Sequence, residues 1–77
     1  ITPDELDEAI ADYNQSIRLE PDFAEAYGNR GFVRYQIGDK LGGLRDLNKA
    51  AQIFADRGNL EGYQQTVSYI QAIRQSP

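Results

Sequence analysis

The sequence contains no cysteine, no histidine, no methionine and no tryptophan among its 77 residues. Without cysteine, the chain forms no disulfide bond and has no thiolate nucleophile. Without cysteine and histidine together, it lacks the usual ligands of zinc, haem and iron–sulfur clusters, and the commonest general base near neutral pH. We therefore expect a non-catalytic protein with no metal and no cofactor, and the lack of cysteine agrees with a reducing, cytoplasmic location.

Long apolar runs are also missing. No run approaches the roughly 20 residues of a membrane-spanning helix, and the chain opens without a basic and apolar signal region. We therefore expect no membrane partner. The first residue is Ile1 rather than methionine, which suggests an excerpt from a longer protein or a processed chain.

The net charge of −4 is unevenly distributed along the chain. Residues 1–26 carry eight acidic side chains against Arg18 alone, whereas residues 27–77 carry seven basic side chains against four acidic ones. An acidic chain without a concentrated basic stripe is a poor nucleic-acid binder, so we expect no nucleic-acid partner. The split itself has two interpretations, which are solvated helix faces or head-to-tail association of an acidic front with a basic rear.

Other groups that could support chemistry have a simpler interpretation. Asp4, Glu8 and Asp12 lie four residues apart, on one face of a predicted helix, a spacing that a metal site could use. No histidine accompanies them, and a helix favours acidic residues in its first turns, so a solvated face is the expected role. Ser16, Thr66 and Ser68 have hydroxyl groups that could act as nucleophiles, but the chain has no histidine to activate them.

Capping signals divide the chain into four predicted helices, at about 3–19, 23–37, 40–56 and 60–74. Thr2 and Pro3 form a helix start, and Asp22 is the predicted N-cap of the second helix. Gly38-Asp39 and Gly58-Asn59 each place a C′ glycine before the next N-cap. Apolar residues recur at helical spacing in every segment and no strand-like alternation occurs, so the predicted fold class is all-α.

A 34-residue period relates the halves of the chain. Asp12 maps onto Asp46 and Asn14 onto Asn48, and the second helix repeats with the same offset, as in Gly28 and Gly62. Short connections make neighbouring helices antiparallel, and small residues within the apolar stripes favour regular stacking of helical hairpins over a closed bundle. Two helices per 34 residues is the spacing of tetratricopeptide repeats.

The sequence thus resembles the tetratricopeptide repeat (TPR) family. The matching residues are Ala9, Tyr13 and Pro21 in a half repeat, and Tyr27, Gly31, Gly38, Asp39, Leu47 and Ala50 in a complete repeat. The resemblance implies a single domain, 1–77, in which 1–23 is the second helix of a first repeat, 24–57 a complete repeat and 58–77 a C-terminal capping helix. It also implies that the hairpins stack as a short right-handed superhelix.

The function implied by this resemblance is that of a protein–protein interaction scaffold, whose concave face binds a partner peptide or segment. The positions that match the family's concave face are Glu25, Gly28, Asn29, Phe32, Tyr35 and Gln36. Phe32 and Tyr35 lie three residues apart and off the expected core stripe, which favours a peptide groove. Packing against a neighbouring repeat is the equally weighted alternative.

A carboxylate clamp has little support. TPR proteins that hold a C-terminal carboxylate use asparagine at the position of Asn29, flanked by lysine and arginine on adjacent first helices. The matching later positions hold Asn59 and Tyr63, so binding of a chaperone tail is not expected. Arg30 and Arg34 replace the family's common leucine and tyrosine. They either contact an acidic partner or the acidic helix of a neighbour, or cover apolar surface with their stems and pair locally.

Two alternative functions remain open. The first is a self-assembling structural module, a homo-oligomer that associates through its terminal helix faces. Its candidate contact residues form the apolar stripe Leu6, Ile10, Tyr13 and Ile17, which must face the next helix, a partner copy or residues outside the chain. The second is a regulatory fragment of a larger enzyme, whose catalytic residues would lie elsewhere in a longer chain.

Overall fold

Four α-helices account for most of the computed structural model, which describes residues 2–77. They are α1 (Pro3–Leu19), α2 (Ala24–Gln36), α3 (Lys40–Asp56) and α4 (Leu60–Gln75), and no strand occurs among the described residues. The all-α prediction is confirmed. The predicted bounds of α1 and α3 are those observed, whereas α2 is one residue shorter at each end and α4 one residue longer.

Side-chain caps begin three of the four helices, as predicted. Thr2 Oγ1 accepts a hydrogen bond from the Glu5 backbone N–H at 3.2 Å, and Asp39 and Asn59 cap α3 and α4 in the same way. Gly38 and Gly58 end α2 and α3 with positive φ angles of 96° and 71°. This left-handed conformation costs glycine little, because it has no Cβ, and it reverses the chain between antiparallel helices.

The start of α2 corrects one prediction. Asp22 is not its N-cap, because that position belongs to Phe23, which makes no side-chain cap hydrogen bond. The Glu20 carbonyl oxygen accepts from the Phe23 N–H at 3.0 Å, which places Pro21 and Asp22 at the centre of a tight turn. Asp22, which the capping signal assigned to the start of α2, therefore lies in the turn before it.

The helices form two layers. Each packs against its neighbours along the chain, and Arg30 on α2 hydrogen-bonds both to Asn14 on α1 and to Asp46 on α3. α1 and α3 therefore lie side by side behind α2. Phe32 on α2 contacts Tyr69 on α4, so these two helices share the other layer. The resulting slab measures 35 × 34 × 17 Å, and its thin dimension leaves room for two layers of helices and no more.

Two glycines set the distance between α2 and α3. A Cβ atom added to Gly31 would lie 2.8 Å from the Gly43 carbonyl oxygen, and one added to Gly43 would lie 2.7 Å from the Gly31 carbonyl oxygen. Each helix therefore packs its backbone against the backbone of the other at this point. No side chain fits there, so the small-residue stacking predicted from the sequence is concentrated at this crossing.

The apolar core lies between α3 and α4. Leu47, the largest fully buried side chain, packs with Ala51, Ile70 and Ile73. Tyr35 borders this core, and its hydroxyl group donates a hydrogen bond to Ser76 Oγ at 2.9 Å. The Lys40 ammonium donates to the Ser76 carbonyl oxygen, also at 2.9 Å. The end of α4 is therefore fastened to the α2–α3 hairpin.

A buried carboxylate holds the two arginines of α2. The Asp46 carboxylate is 6% exposed and accepts hydrogen bonds from Arg30 at 2.8 and 2.9 Å and from Arg34 at 3.0 Å. The hydrogen bond to Asp46 is the main cause that raises the pKa of Arg30 above its usual value. The Arg30 guanidinium also lies 5.3 Å from the centre of the Tyr27 ring. The arginines therefore pair with a carboxylate inside the chain, on the neighbouring helix α3, rather than remaining free for an acidic partner.

Alanine substitutions at two glycines of α2 should have opposite effects on stability. Gly31→Ala should lower the free energy of unfolding by about 1–3 kcal/mol, because its Cβ collides with the α3 backbone. Gly28→Ala should raise it by up to about 1 kcal/mol, since a Cβ there meets only Ala50 Cβ, at 3.8 Å, and alanine is the better helix former. Denaturant unfolding of the two variants measures both values. Equal changes at the two positions would contradict the close backbone contact.

Asp46→Asn should lower the free energy of unfolding by about 2–3 kcal/mol, because two partly buried guanidinium groups lose their counter-charge. The matched control is Asp12→Asn, at the equivalent position one period earlier. Asp12 is exposed and forms no ion pair within residues 2–77, so a change within about 0.5 kcal/mol is expected. Urea denaturation compares the two variants, and a loss of similar size in both would show that the ion pairs contribute little.

Candidate functional site

A groove runs between α2 and α4, with α3 beneath it. Its volume is about 240 Å³ and it is open to solvent. The lining residues, which define what we call the α2–α4 groove, are Ala24, Glu25, Gly28, Asn29, Phe32, Leu47, Phe54, Gln65, Thr66 and Tyr69. The groove therefore lies between the first helices of two successive repeat units, which is the face predicted to be concave.

Three aromatic rings line the groove, those of Phe32, Phe54 and Tyr69. The Phe32 and Tyr69 rings meet edge to face, with centroids 4.5 Å apart and an angle of 75° between their planes. Phe54 lies against Gly62, where an added Cβ would come within 2.7 Å of the ring. The glycine thus lets the Phe54 ring rest on the backbone of α4. Two aromatic rings attract each other in the edge-to-face arrangement, so Phe32 and Tyr69 hold each other in place and the aromatic surface has a defined shape.

Polar side chains flank these rings. Glu25 and Asn29 on α2 are exposed, and neither side chain forms a hydrogen bond with another of residues 2–77. Gln65 on α4 donates to the Tyr69 hydroxyl at 3.4 Å, a long contact. An amide side chain both donates and accepts hydrogen bonds. The walls therefore present free groups that suit a polypeptide backbone.

The groove continues past the first turns of α2 and α4. A second hollow, of about 260 Å³, shares Glu25, Phe54 and Gln65 with it and adds Asn59, Glu61 and Gly62. Because α2 and α4 both run antiparallel to α3, their first turns lie at the same end. Glu25 and Glu61, each in a first turn, therefore border one common mouth of the groove.

The structure brings together four of the six residues predicted for partner binding. Glu25, Gly28, Asn29 and Phe32 line the α2–α4 groove. Tyr35 instead packs against the core and hydrogen-bonds Ser76. The remaining residue, Gln36, is exposed at the last position of α2 and lies outside the groove. A binding role for these residues stays a prediction.

Six of the ten lining residues were not predicted from the sequence. Gln65, Thr66 and Tyr69 come from α4, Leu47 and Phe54 come from α3, and Ala24 begins α2. The 34-residue period contained a partial signal. It maps Phe32 onto Thr66 and Tyr35 onto Tyr69, so it could have located two residues of the second wall, although Tyr35 itself lies outside the groove.

The apolar stripe of α1 is partly covered. Leu6 is buried, and Ile10, Tyr13 and Ile17 are half-buried. Among residues 2–77, α2 is the main helix packed against α1, so the next helix accounts for this burial better than the other two surfaces considered. Association of copies through the stripe stays a prediction.

A separate apolar hollow lies at the turn between α3 and α4. It has a volume of about 320 Å³ and is lined by Ala55, Gly58, Leu60 and Tyr63. Leu60 is 65% exposed and Tyr63 is 38% exposed. No polar side chain other than the tyrosine borders it, so it offers little for orienting a ligand.

The hydroxyl groups considered for chemistry bond within their own helices. Ser16, Thr66 and Ser68 each donate to the carbonyl oxygen four residues earlier, at 3.2, 2.7 and 3.0 Å. Over residues 2–77 no three acidic side chains come together as a potential metal site. In the same part of the chain, no helix has the length and apolar character needed to cross a membrane.

Comparison with known proteins agrees with this architecture. The family model described as "TPR repeat" matches residues 4–38. Tetratricopeptide repeat protein 36 is 41% identical over 54 residues in Mus musculus and 39% identical over 54 residues in Homo sapiens. Protein FlbA of Caulobacter vibrioides is 40% identical over 42 residues, which cover 54% of this chain and 7% of FlbA.

The matched segment covers 70% of this chain but only 29% of tetratricopeptide repeat protein 36, so the chain spans less than a third of that relative. No solved structure gives a significant match. The paired helices, the glycine turns between them, the family model and the similar proteins all lead to one assignment. The chain belongs to the tetratricopeptide repeat family.

Proposed function

We propose that the chain is a non-catalytic interaction module that binds a segment of a partner protein in the α2–α4 groove. TPR repeats are generally protein-interaction modules, which supports the general role. The observation that carries the specific proposal is the groove itself, in which an aromatic surface lies beside free amide and carboxylate groups. A scaffold role for a longer protein that contains this module follows from the same reasoning.

The open shape of the groove favours a peptide over a small molecule. Pockets for drug-sized ligands usually bury most of the ligand's surface. The α2–α4 groove, of about 240 Å³, is open to solvent and continues into the second hollow of about 260 Å³. It suits one or two side chains of a longer segment, whose remaining residues continue along the surface.

The chemistry of the groove fits the same ligand. A peptide backbone offers alternating N–H and C=O groups, and the Asn29 and Gln65 amides both donate and accept hydrogen bonds. An apolar side chain of the partner would lie against Phe32 and Tyr69. Aromatic contacts of this kind supply a large part of the binding energy in many interfaces.

A bulky substitution in the groove should weaken peptide binding without affecting the fold. Asn29→Trp adds an indole ring to an exposed wall position and keeps the charge unchanged. Peptides selected from a random displayed library on the wild-type chain should lose at least about tenfold in affinity for this variant, because the added ring occupies the groove. Fluorescence anisotropy measures the affinities, and circular dichroism checks the helix content.

The matched control is Gln52→Trp, which places the same ring on an exposed position of α3 outside the groove. Its peptide affinity should equal that of the wild-type chain. Failure to select any peptide, or an equal loss in the two tryptophan variants, would overturn the proposed function.

A further inference from the structure

The charged side chains of the α2–α4 groove and its mouth have one sign. Glu25 and Glu61 are both acidic, and no lysine or arginine lines either hollow. The remaining polar lining consists of amides, a threonine and a tyrosine. A ligand in this groove would therefore meet negative charge at the mouth, uncharged polar groups along the walls and aromatic rings further in.

Neither carboxylate forms an ion pair within residues 2–77. Both ion pairs of the described chain involve Asp46, and neither Glu25 nor Glu61 takes part in one. The arginines of α2 are Arg30 and Arg34, which Asp46 holds on the side of α2 that faces α1 and α3. The positive charge of α2 is therefore paired away from the groove, while its negative charge remains free.

The aromatic surface is also suited to a cation. Tyr69 is 37% exposed, so part of its ring is open to the groove although its neighbour Phe32 packs against it. Arginine and lysine side chains bind the faces of aromatic rings, and a guanidinium group also pairs with a carboxylate through two parallel hydrogen bonds. The groove contains both kinds of partner for a basic side chain.

We infer that the α2–α4 groove is selective for a basic peptide segment, with a lysine or arginine at the mouth between Glu25 and Glu61 and an apolar or aromatic residue against Phe32 and Tyr69. The inference rests on the proposed function and specifies its ligand. An acidic segment would place carboxylates beside Glu25 and Glu61 without a cation to offset the repulsion. Charge complementarity of this kind acts mainly on selectivity and association rate.

A positional-scanning library of short peptides tests the inference. In each pool, one position is fixed to a single residue type and the others are random, and binding to the whole chain is measured by fluorescence anisotropy. Pools fixed to lysine or arginine should bind about three- to tenfold more tightly than pools fixed to aspartate or glutamate, the range expected for two exposed charge pairs. Higher ionic strength should reduce the difference, because salt screens exposed charges.

The double variant Glu25→Gln with Glu61→Gln should remove the preference for basic pools. Its matched control, Glu8→Gln with Glu20→Gln, makes the same chemical change at exposed positions of α1 and at its C-cap, and should keep the preference. Urea unfolding of both double variants verifies that each is folded, since Glu25 and Glu61 also lie in first turns where the helix dipole favours acidic residues.

Three outcomes would count against the inference in distinguishable ways. Equal binding of basic and acidic pools, with loss of binding in Asn29→Trp, would overturn the charge preference and leave the proposed function standing. A preference for basic pools that survives in Glu25→Gln with Glu61→Gln would show that other acidic residues select the peptide. Absence of binding by every pool would overturn the proposed function and the inference together.

Discussion

The contact between Gly31 and Gly43 determines how the rest of the molecule is arranged. Two helix backbones meet there, and each glycine's missing side chain leaves room for the other's carbonyl oxygen. Because the helices are so close, Asp46 on α3 reaches the guanidinium groups of α2 directly. The same close contact between α2 and α3 fixes the orientation of α2 about its own axis. Arg30 therefore faces α1 and α3, while Phe32 faces α4. The groove exists because this one crossing orients both faces of α2.

The cluster of Asp46 with Arg30, Arg34 and Asn14, which we call the Asp46 cluster, adds specificity to the packing. A buried ion pair often contributes little net stability compared with well-packed apolar residues, because the charges must leave water. Its geometry is demanding, however, and Arg30 reaches its hydrogen-bond partners on α1 and α3 at the same time. A shift of α1 by one turn would separate Asn14 from Arg30. The cluster thereby favours one register of three helices, a choice that apolar contacts alone would specify less sharply.

Much of the helical architecture was predictable from the sequence because its signals are local. A cap such as Asp39 and a turn glycine such as Gly38 act within a few residues, so their effect does not depend on the rest of the fold. The predicted cap at Asp22 was wrong because Pro21 offered the chain a competing turn of similar length. Local signals of comparable strength cannot be ranked without knowledge of the tertiary contacts.

The groove was only partly predictable, since it depends on which residues meet across helices. Helical spacing places Phe32 and Tyr35 near each other, but it does not show that Tyr35 turns toward the core and Ser76. Likewise, Tyr69 and Phe54 become neighbours of α2 only once α3 and α4 have packed. The pairing of Arg30 and Arg34 with Asp46 is equally non-local, although the unusual arginines marked the place where it occurs.

The Asp46 cluster also makes the two ends of the module different in the charge pairs that they could form with a further helix. Asp12, one period before Asp46, has the same position on α1 but remains exposed. A helix that carried two arginines four residues apart could cover α1 and pair with Asp12 as α2 pairs with Asp46. One period after Arg30 and Arg34, α4 has the uncharged Gln64 and Ser68. These residues supply no cation to the carboxylate of a following helix. In an array built from this unit, charge pairing would thus extend stacking beyond α1 but not beyond α4, so the two ends of the module are chemically unequal.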